Sequence, residues 1–406
     1  MESLEKAIIK IIDEMRDEII KFHQHSIQIP SENPPSKYKE IVKFTERKMK
    51  EIGLITQVKR KNLIGEWGNN NGKTLIFNAH YDTVQAFRGW TKDPFGAEII
   101  NDKIYGRGSC DDKSCVTAEI FAVKALIEAG FNPKGKLIVT AVCDEELGGL
   151  KGAEYLLSKG LIKGDACLLG DAPAEYPFGF TGGTMYMTIT INGRQGHGLG
   201  APDLPEPHRN EFSGINTIER MVKIMNFLLE LNIEFMDKET NYALPEGVLN
   251  TVSHINLAEI HGGNKITTVP ERCYLHCSVN TIPEQDIASI KTRILNYIEE
   301  LKLQDPYLDI TVQTPISLEP YVFDDTSDFA KAIQKSFQAI YHERKEFKLF
   351  MPSTDAHWFQ ERGIETILIG TGRNDTNAHA ADEFVYIEDL INTTKTYALT
   401  ALNFLK

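Results

Sequence analysis

The sequence contains few cysteines and no long apolar segment. Its six cysteines are spread over 406 residues and include no CxxC pair, which is too sparse for a disulfide framework. The uncharged apolar stretches, such as residues 137–143, are far shorter than the roughly 20 residues of a transmembrane helix. Glu2, Glu5 and Lys6 stand at the start, where a secretory signal would have basic residues and then an apolar run. We therefore expect a cytoplasmic protein that does not span a membrane.

Positive charge is also in deficit. Lysine and arginine number 44 against 57 aspartates and glutamates, so the formal net charge is −13. A field of that sign repels nucleic acids and anionic membranes, although a local basic pocket can still hold an acidic ligand. The content of 42% hydrophobic and 25% charged residues is typical of a globular protein and excludes a disordered or collagen-like chain. No nucleic-acid or membrane partner is expected.

Helix and strand patterns alternate over residues 1–180 and again over residues 317–406, which we interpret as two parts of one domain. Helical periodicity is found at about 4–29, 36–53, 113–129, 326–342, 354–362 and from 387 onward. Short apolar runs typical of buried strands lie at 74–78, 136–143, 166–169 and 365–369. Such alternation predicts an α/β fold with a mostly parallel sheet flanked by helices.

Residues 181–316 have a different pattern and form a separate expected domain. The order of elements is a strand at 184–191, a helix near 214–232, strands near 248–260 and 271–280, a helix near 284–302 and a strand near 308–314. This order predicts a ferredoxin-like βαββαβ unit inserted into the α/β domain. The edge strand of such a unit can pair with that of a second copy, so we expect a symmetric homodimer formed through it.

Cys273, His276 and Cys277 form an apparent metal cluster within the inserted domain. On a strand, however, residues 273 and 277 share one face while residue 276 points to the other. We therefore do not interpret these three residues as a zinc site.

Side chains that can bind metals follow four apolar runs of the α/β domain. The carboxyl ends of parallel strands meet at one edge of a sheet, where ligands usually bind. The residues found there are His80 and Asp82, Glu145 and Glu146, Asp171 and, after a Gly/Asn-rich loop, His379. Asp111 and Asp112 follow the loop GRGSC. Two histidines and several carboxylates suit zinc or another borderline divalent metal.

Each of these features has an ordinary structural explanation when it is taken alone. An HxD tripeptide is usually a histidine beside a turn, and a Glu-Glu pair is usually a solvated helix start. Asp111 and Asp112 before a helix are typical of an N-cap with a favourable dipole interaction. Four strands that all end in metal-ligand types are much harder to obtain by chance, so the combination favours a metal site.

The strings NAHYDTV, GRGSCDDK, CDEELGG, GDAP and TNAHAADEFV resemble, in order, the motifs of the di-zinc metallopeptidase family. That family includes acetylornithine deacetylase, succinyl-diaminopimelate desuccinylase, aminoacylase and glutamate carboxypeptidase. The resemblance covers nearly the whole chain, and it implies a zinc-peptidase-type sheet in which the inserted domain is a lid and dimerisation domain.

The resemblance also implies roles for individual residues. His80, Asp111 and Asp171 would hold one metal ion, and Asp111, Glu146 and His379 would hold the other. Asp82 would orient the His80 ring, Glu145 would be the general base, and His197 of the lid would donate to the oxyanion. Two divalent ions are expected, zinc first, with cobalt or manganese as alternatives. An unusual peptide bond, in the cis form, is expected between Asp111 and Asp112.

Substrate recognition departs from the family pattern. Asn280 stands where many members carry an arginine that binds a substrate carboxylate, and Thr267 stands where an asparagine is common. Arg373, six residues before His379, is a candidate for the missing carboxylate contact, although a solvated loop arginine explains it equally well. The substrate is therefore the part of the function that the sequence defines least.

The combined features predict a hydrolase of linear amide bonds. Its substrate would be an N-acyl amino acid, cleaved by a metal-activated water with Glu145 as the general base. A dipeptidase or carboxypeptidase with the same site is the alternative, and a catalytically silent metal-binding module is a third possibility. A free base such as Glu145 argues against the third, because a module that only binds metal has no use for it.

Overall fold

The structure, a computed structural model, describes residues 2–198, 214–248 and 252–406. It contains two compact units. The first unit comprises Met1–Phe180, Phe323–Phe350 and Thr354–Lys406. The second comprises Thr181–Val322 and Met351–Ser353.

Ten α-helices are found in the described part of the chain. They are α1 Glu2–Glu14, α2 Arg16–Ile27, α3 Lys39–Glu51, α4 Lys113–Glu128, α5 Ala153–Ser158, α6 Thr217–Met236, α7 Ile287–Gln304, α8 Asp328–Tyr341, α9 Ala356–Gln360 and α10 Ile387–Phe404. One 3-10 helix spans Glu145–Leu147. None of the helices in the described ranges is both long enough and apolar enough to cross a membrane.

The β-strands of the described residues are mostly short. In chain order they are β1 Ile55–Lys59, β2 Asn62–Gly68, β3 Thr74–His80, β4 Ile99–Ile100, β5 Lys103–Tyr105, β6 Lys136–Val142, β7 Ala166–Leu169, β8 Phe178–Thr181, β9 Gly183–Asn192, β10 Gly196–His197, β11 His254–Gly262, β12 Thr268–Val269, β13 Arg272–Thr281, β14 Asp309–Leu318, β15 Tyr321–Val322, β16 Lys348–Phe350, β17 Glu365–Leu368 and β18 Phe384–Tyr386.

The main sheet of the first unit runs in the order β1-β2-β6-β3-β7-β17-β8. Strands β6, β3, β7 and β17 at its centre are parallel, whereas β1, β2 and β8 pair with their neighbours in the antiparallel sense. The central strands are buried almost throughout, as expected for strands covered on both faces. Helix α4, which contacts β3 and α10, is also buried nearly all round.

The second unit has a four-stranded antiparallel sheet in the order β11-β13-β9-β14. With α6 between β9 and β11, and α7 between β13 and β14, it has the βαββαβ connectivity that the sequence predicts. Alternate residues of β9 and β13 are buried against the two helices. The prediction of a mostly parallel helix-flanked sheet with an inserted ferredoxin-like unit is therefore confirmed.

Some element boundaries differ from the sequence prediction. The single helix expected at 4–29 is two helices, with Met15 between α1 and α2. The strand expected near 248–260 is β11, which starts at His254 and ends at Gly262. Residues 249–251 of that prediction lie outside the described residues. Periodicity identifies an element more reliably than it identifies the element's ends.

The cysteine and histidine residues of β13 lie on opposite faces, as the sequence predicts. Cys273 and Cys277 are buried in the core beneath the helices. The His276 side chain lies on the other face, where its Nδ1 is 2.9 Å from the hydroxyl of Thr188. These three residues therefore do not form a metal cluster.

Candidate metal centre

The metal-ligand types predicted from the sequence meet at the carboxyl ends of the four parallel strands. His80 is the last residue of β3, Glu145 and Glu146 form the 3-10 helix after β6, and Asp171 lies two residues after β7. His379 lies in the loop that follows β17. Because these strands are neighbours in the sheet, their ends converge and the side chains come together.

Asp111 connects the two histidines of the cluster. Its Oδ1 lies 3.1 Å from Nε2 of His80, and its Oδ2 lies 3.1 Å from Nε2 of His379. The same nitrogen of His379 is 3.1 Å from Oε2 of Glu146. A carboxylate with one oxygen on each side is the geometry needed to bridge two cations. The peptide bond between Asp111 and Asp112 is cis, as expected.

Two groups of side chains are compact enough to surround a metal ion. The potential ligand atoms of His80, Glu145 and Asp171 lie within 4.8 Å of one another, as do those of His80, Asp111 and Glu146. Glu145, predicted as a free base, is thus part of the first group, with Oε2 3.9 Å from Nε2 of His80. The structure therefore brings all five predicted ligands and the predicted base into one site.

The donor set fits a pair of divalent ions. Nε2 of His80 is buried and has no hydrogen-bond partner of suitable geometry in the described part of the chain, although carboxylate oxygens lie close to it. Such an atom is costly to leave unsatisfied, and a metal ion would satisfy it. Imidazole nitrogens combined with carboxylate oxygens suit zinc and similar borderline ions.

The negative charge of the buried carboxylates also favours binding of cations. Burial, reinforced by the neighbouring carboxylates, raises the pKa of Glu145 and that of Asp171 well above their usual range. Burial acts in the same direction on Asp111, but its contacts with His379 and His80 prevail and lower its pKa. Several carboxylates in one buried place are stable in the ionised form only when cations lie nearby.

Asp82 contacts the His80 ring through its main-chain oxygen, and its carboxylate lies slightly farther from the same ring nitrogen. Nδ1 of His80 lies 2.9 Å from the main-chain oxygen of Asp82 and 3.6 Å from its Oδ1. The fully buried carboxylate of Asp82 instead accepts hydrogen bonds from Nδ2 of Asn33 (2.9 Å) and from the main-chain N–H of Glu145 (3.3 Å). Asp82 thus links the end of β3 to the turn that carries Glu145.

Asp112 is a positioning residue that the sequence reasoning missed. Its buried carboxylate accepts the main-chain N–H of His80 (3.2 Å) and that of Asp171 (3.1 Å), and so holds the ends of β3 and β7 together. Burial raises its pKa to about 7. Although it precedes α4, its side chain makes no capping hydrogen bond. Gly170 is required beside it, because a Cβ there would lie 2.6 Å from Oδ2 of Asp112.

Glu383 is a second residue that the sequence reasoning missed. Its buried carboxylate accepts the main-chain N–H groups of Cys110 (3.0 Å) and Asp111 (3.2 Å) and forms a 2.6 Å ion pair with Arg107. Arg107 also donates to the main-chain oxygen of Ala380 (3.0 Å), the residue after His379. The pair therefore fixes the Asp111 loop against the His379 loop. The motifs GRGS and ADEF contained both residues, but nothing in their spacing indicated that they pair.

Asp355 lies behind the Glu145 turn, and although it directly precedes α9 its side chain makes no capping hydrogen bond. Thr354 accepts the Ala356 N–H (3.2 Å), while the buried Asp355 carboxylate has no hydrogen-bond partner among the described residues. A Cβ on Gly149 would lie 2.1 Å from Oδ1 of Asp355, so the two groups are in close contact. Trp358 donates to the main-chain oxygen of Gly148 at 3.1 Å and packs the same turn from α9.

Arg373 forms an ion pair within the protein. Its guanidinium group forms a two-pronged ion pair with Asp389, with Nε 2.5 Å from Oδ2 and Nη2 2.7 Å from Oδ1. The same group stacks over the ring of Tyr386 at 4.4 Å. This contact follows from the packing of α10, which places Asp389 beside the loop. The role of Arg373 toward a substrate stays a prediction.

The two remaining candidates, His197 and Asn280, belong to the second unit. His197 is an exposed residue of β10, where it pairs with Thr268 of β12. Asn280 is half-buried on β13, and its side-chain oxygen accepts a hydrogen bond from the Thr184 hydroxyl at 3.3 Å. Their roles stay predictions.

Two known proteins have sequences similar to this one over most of its length. A deformylase of Halalkalibacterium halodurans, N-formyl-4-amino-5-aminomethyl-2-methylpyrimidine deformylase, is 26% identical over 80% of this chain and 77% of its own. A succinyl-diaminopimelate desuccinylase of Buchnera aphidicola is 27% identical over 79% of this chain and 80% of its own.

A similar fold is found in human carnosine dipeptidase 1. Its crystal structure superimposes with a TM-score of 0.71 and covers 99% of both chains at 17% sequence identity. The sequence model of peptidase family M20/M25/M40 matches residues 76–403, which include every residue of the metal-ligand cluster. The chain therefore belongs to peptidase family M20/M25/M40, and it is a metallo-hydrolase of amide or peptide bonds.

Proposed function

We propose that the chain removes the acyl group from an N-acyl amino acid by hydrolysis of its amide bond at a two-metal site. The observation that carries this proposal is the Asp111 carboxylate between two histidines. One of its oxygens lies 3.1 Å from Nε2 of His80, and the other lies 3.1 Å from Nε2 of His379. A bridging carboxylate between two imidazoles has little purpose in a site for one ion. The desuccinylase and deformylase relatives support the choice of an acylated substrate.

The ligands divide into two sets that share Asp111. His80, Asp111 and Asp171 would hold one ion, and Asp111, Glu146 and His379 would hold the other. Bound divalent ions, zinc first among them, supply Lewis acidity at the scissile carbonyl and at the attacking water. The N–H of Val84 donates to Oε1 of Glu146 at 2.9 Å, which leaves Oε2 of that residue directed at His379.

Glu145 would act as the general base and then as the general acid. Its side chain is largely buried at the edge of the cluster, and its main-chain N–H is anchored to the Asp82 carboxylate at 3.3 Å. A carboxylate held there can take a proton from the attacking water and pass it to the leaving amine. Glu146, fixed by the Val84 N–H, is left to bind metal.

A homodimer formed through the second unit would complete the site with His197 of a partner. The edge strand β11 is exposed along most of its length, and α6 carries an exposed apolar row with helical spacing: Ile218, Val222, Leu229, Ile233 and Met236. An edge strand beside an apolar helix face suits an isologous contact. His197 would donate to the oxyanion, a contribution of roughly 2.7–4 kcal/mol in comparable sites.

Mixing two inactive variants tests the dimer. His197→Ala and Glu145→Gln are each expected to be nearly inactive alone, and to regain activity when their subunits exchange. One hybrid site would then hold both Glu145 and the partner's histidine. If exchange is demonstrated and activity does not return, His197 does not act across the dimer.

A substrate panel distinguishes the proposed function from its alternatives. We expect hydrolysis of N-acetyl or N-succinyl amino acids by a protein that retains two metal ions per chain. Faster cleavage of dipeptides would favour the dipeptidase alternative, for which the fold of human carnosine dipeptidase 1 is the precedent. Two bound ions with no turnover on any amide would favour a silent binding module. We expect the enzyme to act in the cytoplasm.

A further inference from the structure

A cavity of about 530 Å³ lies at the opposite edge of the main sheet from the metal-ligand cluster. It is bordered by the turns before β3 and β6, by the first half of α8 and by the end of α10. Strand β3 runs from this cavity to His80, and seven residues at about 3.3 Å each separate the two by roughly 20 Å. The volume is within the range of small-molecule sites.

The sequence brings basic residues to this cavity from four separate segments. On α8, Asp328, Lys331 and Lys335 have the i, i+3, i+7 spacing that places them on one face. Lys73 and Lys134 lie in the two turns, which cross closely: a Cβ on Gly135 would lie 1.8 Å from the main-chain oxygen of Lys73. The lysines lining the cavity are Lys73, Lys134, Lys331, Lys335 and Lys406.

Positive charge is in surplus there, in a chain whose net charge is −13. Asp328 pairs with Lys73 at 2.8 Å and lies 4.0 Å from Lys331, while Glu5 pairs with Lys335. Three lysines thus share two carboxylates. The N-terminus of α8 and the C-terminus of α10 both border the cavity, so their dipoles largely offset each other and the lysines set the sign of the potential.

A polar side chain of α10 positions two of these lysines. The side-chain oxygen of Asn403 accepts from Nζ of Lys335 (2.9 Å) and from Nζ of Lys406 (3.3 Å). The Asn403 amide oxygen therefore holds two of the cavity lysines, one from α8 and one at residue 406, at the border of the cavity.

We propose that this cavity binds a small phosphorylated anion with at least two negative charges. Lysines act as point charges for phosphate oxygens, and a concave basic pocket focuses its field toward such a ligand. Nζ of Lys73 lies 4.8 Å from the centroid of the buried Phe404 ring, a contact that helps to hold this lysine at the cavity. The site is separate from the proposed hydrolysis and does not depend on it.

Inorganic pyrophosphate is the probe for the test. The metal-loaded full chain is titrated by calorimetry at low ionic strength, and lysine acylation with mass-spectrometric detection shows which lysines pyrophosphate protects. We expect protection of Lys73, Lys134 and Lys331, and binding that weakens steeply with salt. Lys134→Gln combined with Lys331→Gln should weaken binding by about tenfold or more.

Lys43→Gln combined with Lys159→Gln is the matched control, because both lysines are exposed elsewhere on the first unit and the net charge changes equally. This control should bind pyrophosphate as the unaltered chain does. Equal weakening in both double variants would mean a general charge effect and would overturn the proposal. Binding without lysine protection, or no binding at millimolar pyrophosphate, would overturn it as well; the first result would indicate capture of metal ions by the probe.

Discussion

Replacing Glu383 with glutamine tests whether the buried network around the metal-ligand loop holds the site together. The Glu383 carboxylate is fully buried, pairs with Arg107 at 2.6 Å and accepts two main-chain N–H groups of the Asp111 loop through one oxygen. Glutamine keeps the shape of the side chain but loses its charge. Its NH₂ group would also face either the Arg107 guanidinium or main-chain N–H groups, which are donors themselves. Arg107, only 2% exposed, is left without a counter-charge.

The expected magnitude follows from that burial. Removing one member of a buried ion pair typically destabilises a protein by about 3–5 kcal/mol, since the remaining charge stays desolvated. We therefore expect Glu383→Gln to lower the free energy of unfolding by about 3–5 kcal/mol. Because the network also fixes the main chain of Asp111, metal affinity should fall by roughly 10–100-fold, as for partners that orient metal ligands.

Urea unfolding with and without chelator, and metal titration of the folded protein, measure these two effects separately. Arg107→Met and the double variant complete a mutant cycle. The free energies of unfolding lost in the two single variants should add up to more than the free energy lost in the double variant. Glu388→Gln, on the exposed side of α10, is the matched control. A change within about 0.5 kcal/mol of the control, or strict additivity in the cycle, would refute the reasoning.

Three further predictions concern other residues. Glu145→Gln should keep two metal ions per chain but lose roughly 10²–10⁴-fold in kcat; near-normal turnover would mean that the base lies elsewhere. Arg373→Gln should destabilise the chain by about 1–3 kcal/mol, because Asp389 loses its partner, and should leave KM unchanged; a rise in KM alone would instead support its predicted contact with the substrate. Burial lowers the pKa of His23 to about 3, so between pH 6.5 and 3 only the unfolded chain gains this proton, and stability falls as the pH drops. Around pH 5, His23→Gln should reduce the slope of the free energy of unfolding against pH by about 1.4 kcal/mol per pH unit, as measured by urea unfolding. If the profiles of the variant and of the unaltered chain run parallel, the lowered pKa of His23 is contradicted.

Much of the candidate site could be predicted because it depends on local patterns. A buried strand is a short apolar run, and the residue that follows it lies at the sheet edge, so His80, Glu146 and Asp171 could be placed together from the sequence. The order of elements likewise predicted the inserted βαββαβ unit, since helical and strand periodicities differ. The roles of the individual ligands came from the resemblance to known metallopeptidases, which spacing alone does not provide.

The contacts that hold the site in place depend on tertiary packing. Glu383 accepts the N–H of Asp111, from which it is 272 residues away in the sequence. Arg373 pairs with Asp389 of α10, the helix that follows its loop. Asp112, interpreted as a helix cap, supports two strand ends because the close approach at Gly170 places its carboxylate there. A sequence pattern shows which residues are buried, but which donor meets which buried acceptor is decided only when distant segments pack and every polar group must find a partner.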